Sequence, residues 1–122
     1  MINMTVKDFY ENVHGDYQGA LNLMMSDAFI ERMLGKFLET NRHEDLLKFY
    51  EDKNFKGVFE IAHSLKGLTG NLSLKNLYDL IVPIVDATRT LPEGEVVDLD
   101  KEIKAFAQEF DFVLSQLKLL LS

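Results

Sequence analysis

One of the three histidines in this 122-residue chain stands in company that suggests chemistry. His63 lies in "AHSLKGLTGN", residues 62–71, with Lys66 at i+3 and Gly67 and Gly70 at i+4 and i+7. Near neutral pH an imidazole keeps a free lone pair on one ring nitrogen and is a competent nucleophile. Lys66 would supply positive charge where the negative charge of a phosphoryl group builds up. At about 4 Å such a charge is worth ~1 kcal/mol in water and ~4 kcal/mol at the lower effective dielectric of a docked interface. The chain shows no phosphate-binding glycine loop and no Asp–Mg²⁺ cluster. The phosphoryl donor and its metal are therefore expected from another protein.

The two glycines pose a problem, because glycine inside a helix costs about 1 kcal/mol relative to alanine. On a helical wheel of 100° per residue, Val58, Ile61, Leu65, Leu68 and Leu72 form the buried stripe, flanked by Ala62 and Thr69. Lys56, Phe59, Glu60, His63, Lys66, Gly67 and Gly70 fall opposite. Bare backbone beside an outward imidazole lets a second surface come close, and an exposed aromatic at Phe59 suits a partner interface. The stripe reads as a docking platform, formed by Phe59, Glu60, Gly67 and Gly70, around His63 and Lys66.

Helices must carry that platform, and helical periodicity runs through the chain. Asn3 or Thr5 can cap a first helix that runs to Gly15. "DYQGALNLMM" forms another short helix, packing Tyr17, Ala20, Leu21 and Met24. Ser26 or Asp27 caps "AFIERMLGKFLE", with an apolar stripe of Phe29, Ile30, Met33, Leu34, Phe37 and Leu38. A short helix follows over 43–52, and the motif helix covers 54–72. Ser73 can cap "LKNLYDLIVPIVDATRT", in which Leu74, Leu77, Ile81, Ile84 and Thr88 step by 3 and 4, and where Pro83 should introduce a kink. "LPEGE" (91–95) is a turn. In the last helix Leu99, Ile103, Phe106, Phe110, Val113, Leu117 and Leu120 form a heptad-like seam, read as packing within one bundle rather than as a dimeric coiled coil. No period-2 pattern calls for a sheet. The expected fold is one all-α domain over 1–122, an up-down-up-down four-helix bundle with short additional N-terminal helices.

Bulk properties narrow the function. Hydrophobic content of 47% and charged content of 27% are ordinary for a globular protein. A net charge of −7, from 20 acidic and 13 scattered basic residues, argues against nucleic acid. With no cysteine there is no disulfide, thiolate metal site or thiol catalysis, which fits a reducing compartment. The N-terminus lacks the pattern of a signal peptide, and "LIVPIV" (80–85) is too short to span a bilayer. A cytoplasmic monomer that binds no membrane is expected.

"EIAH" contains a Glu-x-x-His, but di-iron bundles need two copies and further glutamates on facing helices, so no metal site is expected. His14 and His43, each near a helix end, are expected to be solvated. The Met24–Met25 pair is expected to fill core. "EGEVVDLDKE" reads as a solvated helix start that favours the dipole.

"AHSLKGLTGNLSL" resembles the signature of histidine-containing phosphotransfer (HPt) domains: a histidine, a Lys-Gly pair three and four residues later, then a small residue and an apolar pair. "DAFIERMLGKFLE" resembles the family's preceding long helix, and "VDATRT" the acidic-x-x-Arg ending of the helix after the motif. The resemblance implies a phosphorelay intermediate of two-component signalling. His63 would take a phosphoryl group from one receiver-domain aspartate and pass it to another, with response-regulator receivers and a sensor histidine kinase as partners. No cofactor is implied; Mg²⁺ would sit on the receiver. With no kinase domain in the chain, the carrier is stand-alone or an excised piece, without autonomous catalytic activity. The alternative is a helical bundle that docks receivers or kinases without accepting phosphate.

Two positions depart from the family pattern. Ser73 stands where members commonly have Gly. Val85 stands where many place a Glu or Gln that hydrogen-bonds the phosphoacceptor imidazole; Glu60, one turn before His63, is the nearest substitute.

Overall fold

Capping and apolar periodicity divide the chain into helices, and the longest connection between described helices, 90–99, separates the last two. A computed structural model describes residues 3–40 and 43–122, in which all regular structure is α-helical. The helices are α1 (Val6–Asn12), α2 (Tyr17–Met24), α3 (Asp27–Thr40), α4 (His43–Glu51), α5 (Phe55–Asn71), α6 (Lys75–Arg89) and α7 (Asp100–Leu121).

Local chemistry explains the starts. Thr5 caps α1 in a reciprocal capping box with Asp8. The backbone hydrogen bonding there holds the Asp8 carboxyl below its usual pKa. Asp16 caps α2, Ser26 Oγ accepts from Phe29 N at the start of α3, and Asn54 caps α5. Ser73 does not cap α6. The N-cap is Leu74, which makes no side-chain cap bond, because Ser73 sits in the left-handed region at φ 55° and forms the turn itself. That backbone conformation favours glycine. The first helix also ends earlier than expected, at Asn12 rather than beside Gly15.

One hydrophobic cluster takes residues from all seven helices. The α7 seam is buried along its whole length, as are Leu74, Leu77, Ile81, Ile84 and Thr88 before and along α6. Pro83 lies inside α6, which continues through it as one element. Elsewhere the core differs from expectation. Met25 is not core filler: it ends α2 at φ 76° and is 82% exposed. Phe29, at the edge of the α3 stripe, is also exposed.

His43 is buried rather than solvated. Its ring stacks on Phe110 of α7, with centroids 4.4 Å apart and planes 15° apart, and Nε2 lies 3.3 Å from Asp111 Oδ1. Packing against α7 at the first residue of α4 overrides the usual exposure of a helix start. At the other end of α4, Tyr50 OH donates to Asp100 Oδ1 at 2.5 Å and accepts from Leu99 N at 2.8 Å. The second bond satisfies the backbone N–H of Leu99 at the start of α7, where Leu99 itself makes no side-chain cap bond. Desolvation first, then the bond to Asp100, pushes the Tyr50 phenol up to about 12.

No helix among the described residues is long and apolar enough to cross a membrane.

Candidate functional site

The motif lies on α5, whose orientation is set by three neighbours. α6 returns along it after the tight 72–74 turn. At the turn, Tyr10 OH of α1 donates to Leu72 O at 2.8 Å, and Asp16 N donates to Ser73 O at 2.9 Å. Burial pushes the Tyr10 phenol well above its ordinary value. α4 packs on the other end, where Gly57 is required: a Cβ there would lie 2.6 Å from the Phe49 ring. Gly57 escaped the reading of the sequence, which attended to the glycines after His63. Its partner on α4 can be known only from the fold.

The buried face of α5 is turned slightly from the expected one. Ala62 and Thr69 are fully buried, while Leu68 is 36% exposed. Thr69 can be buried because its hydroxyl donates within the helix to Leu65 O at 2.8 Å. Leu68 instead joins an apolar groove of about 510 Å³, whose lining includes Leu23, Met24, Phe29, Met33 and Leu72.

Of the residues singled out, Glu60, His63, Gly67 and Gly70 are exposed, Phe59 and Lys66 half-buried. A Cβ at Gly67 would meet nothing within 4 Å, so the space above that backbone is open. Gly70 differs: a Cβ there would lie 3.3 Å from the Tyr78 ring of α6. It borders a helix neighbour as well as solvent.

Phe59 is less a free aromatic than a layer in a stack. Its ring lies against the His63 imidazole, with centroids 5.5 Å apart and planes 22° apart. The Arg89 guanidinium carbon of α6 lies 5.5 Å from the Phe59 centroid, within cation–π range. The contacts Gly70–Tyr78 and Phe59–Arg89 mark the two ends of an antiparallel pair. Between them, Val85 falls level with His63, and it is fully buried. It offers the imidazole no hydrogen bond. Among the described residues no side chain hydrogen-bonds or ion-pairs with the His63 ring, so Glu60 does not take that role here. Nor is any group of three or more His, Asp or Glu residues placed to hold a metal ion, among the described residues.

The arrangement presents an exposed imidazole stacked on Phe59, with a lysine one turn on and bare backbone beside it. Such a ring can act as a nucleophile toward an electrophile delivered from outside. The chain matches no family model, no curated protein and no solved structure.

Proposed function

We propose that the chain is a histidine phosphotransfer protein of a two-component phosphorelay, with His63 as phosphoacceptor. The single observation that carries this reading is the exposed, unbonded His63 ring beside the open backbone of Gly67. Lys66 follows it at i+3. In the proposed step, the neutral imidazole attacks phosphorus of a receiver's aspartyl phosphate. An N–P bond forms as the P–O bond to the aspartate breaks, and the carboxylate leaves with the electron pair. The other ring nitrogen keeps its proton. Lys66 balances the charge of the transferring group, and Mg²⁺ belongs to the receiver. The same step reversed, onto a second receiver, completes the relay.

In this reading α3, α5, α6 and α7 form the up-and-down four-helix bundle, and α1, α2 and α4 buttress it. Phe59, Glu60, Gly67 and Gly70 border the docking surface. The apolar groove beside Leu68 supports a partner that covers the flank of α5. The protein works as a cytoplasmic monomer between a sensor kinase and receiver domains.

That groove equally favours a docking module that never carries phosphate. A two-receiver assay separates the readings. One phosphorylated receiver is incubated with the protein, the receiver is removed, and a second receiver is added. A carrier takes up acid-labile label and passes it on, and His63→Gln does neither. A docking module binds both receivers and takes up no label.

A further inference from the structure

Phosphotransfer to an imidazole needs a lone pair aimed at phosphorus, and so a ring plane that is set in advance. Histidine rings are commonly oriented by a hydrogen bond to the second nitrogen. Here none is made by the described residues, and the position level with the ring on α6 is the buried Val85. What the ring does have is a supported face. Phe59 precedes His63 by one turn, the i, i+4 spacing at which helix side chains meet, and the two rings lie only 22° from parallel. Phe59 is half-buried and held in turn by Arg89, which reaches it from the last turn of α6. The stack therefore ties the imidazole to both helices of the α5–α6 pair.

We infer that Phe59, backed by Arg89, is the positioning residue that orients the His63 imidazole in place of a hydrogen-bonding partner. The inference rests on the phosphoacceptor reading above. It carries a signature of its own. A hydrogen bond fixes both the ring plane and the tautomer, whereas contact through the face fixes the plane and leaves either nitrogen free to hold the proton. His63 should thus show a fixed ring with mixed tautomers. An aromatic pair shifts the balance of stacked over unstacked rings by about two- to tenfold, which sets the size of the effect.

The test combines NMR of the His63 ring with labelling rates in wild type, Phe59→Leu, Phe59→Tyr and Arg89→Gln. Two donors are used. Phosphoramidate reports the reactivity of the ring alone: its P–N bond breaks as the imidazole N–P bond forms, and ammonia leaves. A phosphorylated receiver reports the relay. In Phe59→Leu the His63 ring protons should move downfield as they leave the shielding face of Phe59, and labelling by both donors should slow about two- to tenfold. Phe59→Tyr should restore both readouts, and Arg89→Gln should give a smaller change of the same sign. Melting curves identify any variant that has lost the fold, and Phe59→Tyr keeps the comparison meaningful in that case. Ring shifts unmoved by Phe59→Leu, receiver labelling unaffected by it, or a wild-type ring locked in one tautomer would each overturn the inference. Labelling by phosphoramidate without labelling by the receiver would strike the relay reading alone.

Discussion

Two histidines of this protein lie against a phenylalanine ring, in opposite surroundings. His43 is sealed between α4 and α7, with Phe110 at 4.4 Å and the Asp111 carboxylate at 3.3 Å. His63 stacks more loosely on Phe59 of its own helix, at 5.5 Å, with its edge in solvent. Burial and a carboxylate make the first a fastening between helices. The second is exposed, with a lysine at i+3 and bare backbone beside it. The residue type is the same in both places, and the surroundings decide what it can do.

The largest difference should appear in stability. His43→Ala removes a buried ring from the α4–α7 seam and is expected to cost about 2–4 kcal/mol in denaturant unfolding. His63→Ala, on the exposed stripe, loses only the stack on Phe59 and should cost about 1 kcal/mol or less. Similar losses at both sites would erase the distinction.

The glycines sharpen the comparison, with opposite signs. Gly57→Ala forces a Cβ toward the Phe49 ring, 2.6 Å away, and should cost about 1–3 kcal/mol. Gly67→Ala meets only open space and should add up to about 1 kcal/mol through helix propensity. If Gly67→Ala destabilised the fold, the stripe would be packed and not a platform.

A smaller effect is expected at the far end of the seam. Tyr50→Phe loses the bonds to Asp100 and Leu99 and should cost about 1 kcal/mol. The sign of its pH dependence follows from the raised phenol pKa, about 12 in the fold against 10.0 for a free tyrosine. The folded state prefers the protonated phenol, so its contribution is complete below pH 10 and is lost as pH rises toward 12. The gap between wild type and Tyr50→Phe should close over that range in alkaline unfolding.

Local patterns were legible from the residues alone. The α7 seam and the α6 stripe are apolar repeats whose burial needs no knowledge of the partner. The exposure of His63 and the open space at Gly67 also followed from the wheel. What escaped depends on contacts between distant segments. His43 looks solvated until Phe110 and Asp111 are brought beside it. Phe59 looks like a free interface aromatic until Arg89 arrives from α6. Leu68 and Thr69 exchanged places because hydropathy ranks a threonine as polar, although its hydroxyl is satisfied inside the helix by Leu65 O.

The central claim is that His63, and neither His14 nor His43, is the one that reacts. Its most direct test is to phosphorylate the protein with a phosphorylated receiver, digest it under alkaline conditions that preserve phosphohistidine, and map the label. All of it is expected on the peptide that carries His63. Label on the peptides of His14 or His43, or label that persists in His63→Gln, would contradict the account.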